Sequence, residues 1–216
     1  MRMKQEFVPG WLAGLRERIR GPKPGLSAQM TMAPSPRPGR RPYTEVEDTS
    51  LKAGIMLLLY PRDGRFHVVF IRRASTVLHH KDQISFPGGQ IESGEDGIGA
   101  ALRETHEEIA VPAETIEIIG SLTPLYIEPS NFCVYPVVGV SKKTPSFRSD
   151  PVEVAEIIEV PVDHLFDPAH LRAETRMIDG QIIRIPYFEY RHHKIWGATA
   201  MVLAEFLEIL RPADGA

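Results

Sequence analysis

Gly88-Gly89-Gln90-Ile91-Glu92-Ser93-Gly94-Glu95-Asp96-Gly97-Ile98-Gly99-Ala100-Ala101-Leu102-Arg103-Glu104-Thr105-His106-Glu107-Glu108-Ile109-Ala110-Val111 is the stretch on which the reading of this 216-residue chain turns. It predicts a helix over about residues 96–110, which advances roughly 100° per residue. On that wheel Ile98, Leu102, Thr105 and Ile109 share a face suited to packing on a sheet. Glu104, Glu107 and Glu108 lie on the other side at i, i+3 and i+4. Carboxylates so spaced repel by a few tenths of a kcal/mol per exposed pair, roughly 0.2–0.5 kcal/mol. A hard divalent ion would compensate them, because Mg²⁺ prefers carboxylate oxygens and keeps positions for water and phosphate. The plainer reading is a solvated acidic face. Two neighbours favour the ion: the glycine-rich loop Phe86-Pro87-Gly88-Gly89, and Arg103, which can pair with Glu95 to fix that loop against the helix.

Working outward, strand and helix signals alternate. The apolar run 53–59 ends in Pro61-Arg62-Asp63-Gly64, and a β-rich segment resumes at His67–Arg72, so the pair reads as a hairpin. Further strands are expected over 117–122, 133–140 and 152–160. Asp179-Gly180 sits between two β-rich segments, a hairpin signal that needs positive φ. The spacing of Ala200, Leu203, Phe206, Leu207 and Leu210 predicts an amphipathic closing helix over 198–210, with Trp196 at its start and assigned to the core. Strands dominate and the helices need a sheet to cover, so the expected class is a mixed α/β or α+β sandwich.

Composition narrows the function. The 25 Lys+Arg against 28 Asp+Glu leave a net charge of −3, which argues against bulk nucleic-acid binding. A single cysteine, Cys133, excludes a disulfide framework and a multi-thiolate zinc site, and reads as a small buried residue. No apolar run approaches the ~20 residues of a membrane span, and the start lacks the apolar core of a secretory signal, so cytoplasmic location and no membrane partner are the expectations. Charge is uneven, however. Residues 1–43 hold nine Lys/Arg, two Asp/Glu and seven of the 19 prolines. We read them as a short helix over about 11–20 followed by a basic, proline-rich arm, preceding a domain over 44–216. Arg37, Arg40 and Arg41 either belong to a solvated linker or fold back to meet an anionic substrate.

Gly89, Glu95, Arg103-Glu104 and Glu107-Glu108, at this spacing over 23 positions, resemble the Nudix box. Thr105 stands where an aliphatic residue is usual, and Ala110 where a glycine follows the glutamate pair. The alanine is expected to cost ~1 kcal/mol at a left-handed helix end or to shift the cap. The resemblance implies an α/β/α sandwich around a mixed β-sheet, and hydrolysis of a nucleoside diphosphate linked to another moiety. It makes Glu104, Glu107 and Glu108 the ligands of Mg²⁺ or Mn²⁺, with Glu95 and Arg103 organising the loop. For the general base it leaves Glu107 or Glu108, with Glu153 in Asp150-Pro151-Val152-Glu153 as the reserve. It leaves a homodimer open.

Arg73, Ala74, Gln83 and Phe86-Pro87-Gly88-Gly89 also resemble the extra signature of coenzyme A pyrophosphatases, which joins directly to the box. Leu78 and Asp82 replace an expected arginine and glycine, and His79, His80 or Lys81 are the cations at hand. Residues 24–34, 124–140 and 195–199 are similar to the same subfamily. The implied reaction cuts coenzyme A to 4′-phosphopantetheine and adenosine 3′,5′-bisphosphate, with Arg37, Arg73, Gly88 and Gly89 as substrate contacts. ADP-ribose or another nucleoside diphosphate derivative is the alternative substrate, and a nucleotide-sensing domain without catalysis the alternative class. Tyr126, Ser130, Asn131 and Phe132 are candidates for a substrate-facing loop.

Overall fold

The apolar run beginning at Ala53 is the spine of the molecule. The computed structural model describes residues 9–36, 49–74, 83–178 and 180–211. Strand β1 (Leu51–Arg62) turns at Asp63 and Gly64, both at positive φ, into antiparallel β2 (Arg65–Arg73). Positive φ at both central positions matches the right-handed twist of the flanking strands, which is why Asp-Gly serves there. Short β3 (Ile84–Ser85) and β4 (Gly88–Gln90) pair with β2 and β1 respectively. After a helix and a turn, β5 (Ile116–Ser121) and β6 (Leu125–Ile127) both pair with β7 (Phe132–Ser141), which runs parallel to β1. Strand β8 (Val154–Pro161) closes the sheet beside β2. Among the described residues the result is a mixed eight-stranded sheet with β3-β2-β1-β7-β5 as its main path.

Period-two alternation along β1 divides the core. Leu57 and Leu59 face one layer and Met56, Leu58 and Tyr60 the other, all five fully buried. The first layer holds α1 (Pro9–Arg20), the short α2 (Leu26–Gln29) and the closing helix α5 (Gly197–Leu210). Leu15, Ile19 and Met32 carry the described part of the N-terminal segment into that core. The second layer is α3 (Gly97–Ile109). The molecule is therefore an α/β/α sandwich around a mixed sheet. A short α4 (Val162–Phe166) leads to a separate three-stranded antiparallel sheet, β9 (Leu171–Ile178), β10 (Gln181–Tyr190) and β11 (His193–Trp196).

Three expectations need correction. Trp196 does stand at the start of α5, as its N-cap and the last residue of β11, but it is half-buried rather than in the core and carries the Arg176 guanidinium 4.9 Å from its ring centroid. Val152 lies before β8 and is exposed, because the Asp150 side chain accepts from its N–H at 2.8 Å and holds a turn there. The buried stripe of α3 is rotated from the one read on the wheel. Ala100, Ala101, Thr105, Glu108 and Ile109 are buried, whereas Ile98 is exposed. The rotation follows from how closely the helix approaches the sheet. A Cβ on Gly54 would overlap the Gly97 carbonyl and sit 3.0 Å from the Ala101 nitrogen, so backbone meets backbone at that point. Only small residues fit there, and larger Ile98 turns outward. Thr105 tolerates full burial by donating its hydroxyl to the Ala101 carbonyl at 2.6 Å.

Candidate active site

Helix α3 begins where the Asp96 side chain accepts from the Gly99 N–H at 2.8 Å, which satisfies one of the donors a helix start leaves open. Its end is held by tertiary contacts. Ala110 takes a left-handed conformation (φ 57, ψ 34), so the cap stays in place without glycine. The loop after β7 locks that end: the Arg148 N–H donates to the Ile109 carbonyl at 3.2 Å and the Asp150 N–H to the Glu108 carbonyl at 3.0 Å. Glu153, three residues further, thereby stands beside the helix. One carboxylate oxygen from each of Glu104, Glu108 and Glu153 lies within 4.8 Å of the other two.

Glu108 is the buried member, which corrects its expected place on the side of α3 away from the sheet. It is 1% exposed; its Oε2 accepts from the Gly88 N–H at 2.9 Å, and its Oε1 lies 3.3 Å from Arg73 Nη1. Burial pushes its pKa up to about 8, with the charges of Glu104 and Glu153 adding to the rise against the Gly88 and Arg73 bonds. Burial also raises Glu104, against its bond to Arg103. A cation delivered among these oxygens would offset both penalties, and an all-carboxylate set suits a hard ion such as Mg²⁺ or Mn²⁺.

The glycines explain how carboxylates enter so close a space. A Cβ on Gly88 would overlap the Gly54 carbonyl and stand 2.7 Å from the Ile55 Cα, which leaves β4 no room to retreat from β1. A Cβ on Gly89 would fall within 2.7 Å of Glu104 Oε2 and overlap the rest of that carboxyl group. Both glycines, read from the sequence as substrate contacts, thus stand against the carboxylates, and the Gly88 N–H is committed to Glu108.

Arg103 uses all five of its N–H donors. Nε and one Nη2 proton grip Glu95 at 3.1 Å each, the second Nη2 proton reaches the Gln90 carbonyl at 3.0 Å, and Nη1 serves Glu104 at 2.8 Å and Glu107 at 3.1 Å. A fork of this kind fixes the loop 90–95 to the helix with directional bonds that lysine cannot supply. It holds Glu95 below the ordinary carboxylate range, the Arg103 bond leading and the Glu92 N–H adding to it. Glu107 sits on the exposed rim against Arg103, and among the described residues it is not part of the Glu104–Glu108–Glu153 group.

Arg73 comes to Glu108 through an irregularity. Between Arg72 and Arg73 the β2–β8 register slips, pairing Arg72 with Glu156 and Arg73 with Val154. The bulge turns the start of β8, and Glu153 with it, toward α3. The backbone then closes the arrangement: Ala74 N–H donates to the Glu153 carbonyl at 2.8 Å and Arg73 N–H to the Gln83 carbonyl at 3.0 Å. Arg37, Arg40, Arg41 and residues 78–82 lie outside the described residues. Tyr126 is buried, its hydroxyl donating to Asn131 Oδ1 at 3.1 Å, so it does not face a substrate loop. Two participants escaped the sequence reading, Asp150 and Gly54. Each had a signal: Asp followed by Pro favours a turn, and a lone glycine within an apolar strand marks a close backbone approach.

Comparison with known proteins bears on this arrangement. The profile of the NUDIX domain matches residues 50–183, more than half of the chain. Nudix hydrolase NudL of Photorhabdus laumondii is 30% identical over 168 residues, 77% of this chain and 89% of its own. Its counterpart from Enterobacter sp. (strain 638) is 34% identical over 166 residues, 76% and 86% respectively. Among solved structures, RenU, a Nudix hydrolase from M. smegmatis, overlays 53% of this chain and 72% of its own with 24% identity and a TM-score of 0.46.

Proposed function

The chain belongs to the Nudix hydrolase family, and from that premise we propose that it cleaves the pyrophosphate of coenzyme A or an acyl-CoA, giving 4′-phosphopantetheine and adenosine 3′,5′-bisphosphate. The observation that carries hydrolysis is the convergence of Glu104, Glu108 and Glu153 within 4.8 Å, two of them penalised by burial without a cation. These three, with Glu107 at the rim, are the residues to hold Mg²⁺ or Mn²⁺. Such ions neutralise the diphosphate, lower the pKa of a bound water and stabilise the leaving phosphate.

The residues divide the remaining work. Both oxygens of Glu108 are engaged, by Gly88 and Arg73, and its burial shuts out bulk water, so it anchors rather than exchanges protons. Glu107 is turned to Arg103. Glu153 combines exposure with membership of the cluster, and we assign it the proton of the attacking water. Arg73, 23% exposed, holds Glu108 in place and presents a cation at the edge where a phosphate would arrive.

For the coenzyme A class, the support is the continuity of the signature with the cluster. Arg73 and Ala74 at one end, and Gln83 at the other, are bonded to each other or to Glu108 and Glu153. The basic residues Arg37, Arg40 and Arg41 would then meet the substrate's additional 3′-phosphate. Incubation with Mg²⁺ or Mn²⁺ and a panel of coenzyme A, acetyl-CoA, ADP-ribose and dinucleotides tests the assignment. Adenosine 3′,5′-bisphosphate as the dominant product, at a kcat/KM at least ~10-fold above ADP-ribose, is expected. A preference for ADP-ribose would overturn the substrate assignment, and nucleotide binding without turnover would overturn catalysis.

A further inference from the structure

We propose that Glu156, His192 and His193 form a second metal site, selective for a borderline ion such as Zn²⁺, that joins the three-stranded sheet to the main sheet. Glu156 belongs to β8 of the main sheet. His193 opens β11, and His192 precedes it in the turn after β10, where Arg191 takes positive φ. One donor atom from each residue lies within 4.8 Å of the other two. His193 Nε2 and Glu156 Oε1 are 3.2 Å apart, and the two imidazole centroids 3.9 Å.

The separation of His193 Nε2 from Glu156 Oε1 suits a tetrahedral ion. Bonds of ~2.0–2.2 Å at the tetrahedral angle place ligand atoms roughly 3.3 Å from one another. The carboxylate is also pre-oriented, because Glu156 Oε2 accepts from Arg72 Nε at 3.2 Å while Oε1 faces His193. An outer partner of that sort is what ligating groups commonly require. A cavity of about 380 Å³ adjoins the three residues, with Arg72, Ile84, Lys194 and Trp196 completing its wall. It leaves a fourth ligand position open to water or a small anion, beside Arg72, which is paired with Glu156, and Lys194, which is paired with Glu174.

Ligand chemistry separates this site from the first. Two imidazoles and one carboxylate favour Zn²⁺, Co²⁺ or Ni²⁺ and disfavour Mg²⁺, which demands oxygen and retains its waters. The β2–β8 bulge separates the two sites in space as well. Arg72 and Glu156 pair directly across the strands, while Arg73 reaches Glu108 on α3. One irregular strand pair therefore serves two sites of different ion preference.

The test is a Zn²⁺ titration of the full chain held in millimolar Mg²⁺, followed by calorimetry, with Co²⁺ absorption as a spectroscopic probe. One ion per chain is expected, with the visible bands of tetrahedral Co²⁺ and a higher Tm. His192 is exposed, so His192→Ala should keep the fold and its Mg²⁺-supported hydrolysis while weakening Zn²⁺ binding at least ~10-fold. Glu156→Gln should weaken it similarly, and Glu104→Gln should not. No binding above the Mg²⁺ background, or binding unchanged in His192→Ala, overturns the proposal. Loss confined to Glu104→Gln overturns it too, by placing the Zn²⁺ among the carboxylates.

Discussion

Replacing Gly89 by alanine asks whether the box glycine serves the carboxylate or the chain. The new Cβ would stand 2.7 Å from Glu104 Oε2. Ordinary contact begins at 3.4 Å, so that oxygen must retreat by at least 3.4 − 2.7 = 0.7 Å. The obstacle is the flexible end of a side chain, so the backbone can stay where it is. A metal ligand has a tolerance of about ±0.2 Å, so a shift of this size removes Glu104 from the set. The expected result is a fold that melts within a few degrees of the parent, with Mn²⁺ affinity reduced ~10- to 100-fold and activity reduced in step. Gly88→Ala is the contrast. Its Cβ meets the backbone of Gly54 and Ile55, which cannot swing away, so stability itself should fall, by about 1–3 kcal/mol by analogy with overpacked cores. Differential scanning fluorimetry and titration of free Mn²⁺ by electron paramagnetic resonance separate the two outcomes. Unchanged Mn²⁺ affinity in a folded Gly89→Ala protein would refute the reasoning, as would equal destabilisation by both substitutions.

Two further outcomes follow from the same geometry. Ala110→Gly should stabilise the chain by about 0.5–1 kcal/mol, because glycine occupies φ 57 without the Cβ penalty, less its larger unfolded entropy; denaturant titration reads this directly. With chelator present, Glu108 should make stability pH-dependent. Its folded pKa of about 8 lies above the ordinary carboxylate value of 4.5, so its contribution is complete below pH 4.5 and is lost as pH rises through 8, at roughly 1.4 kcal/mol per pH unit at most. Arg73, Gly88, Glu104 and Glu153 face the group, and Glu108→Gln should flatten this limb of the Tm–pH curve.

Local signals told most of the fold. Asp63-Gly64 fixed one hairpin, the β-branched runs located the long strands, and the periodicity of 198–210 found α5 within a residue. What escaped was short or non-local. Strands β3, β4 and β6 have three residues or fewer, too few for a period to show, and β4 is held by β1, a partner distant in sequence. The face of α3 was misread because a helical wheel ranks residues by apolarity, whereas this interface is decided by clearance. Gly54, Gly97 and Ala101 let the backbones meet, which turns Glu108 inward. Its burial is tolerable because Gly88 and Arg73, 20 and 35 residues away, bring their donors to it. Spacing in the box announced the glutamates, but the standing of Glu153 beside them depends on a loop hooked to the end of α3 by Arg148 and Asp150. No local pattern encodes that hook.

The measurement nearest the central claim is an anomalous-scattering map from crystals equilibrated with Mn²⁺ near neutral pH. A peak within ~2.0–2.4 Å of carboxylate oxygens from Glu104, Glu108 and Glu153 is the predicted result. Manganese bound only elsewhere, with these three carboxylates turned to solvent, would contradict it.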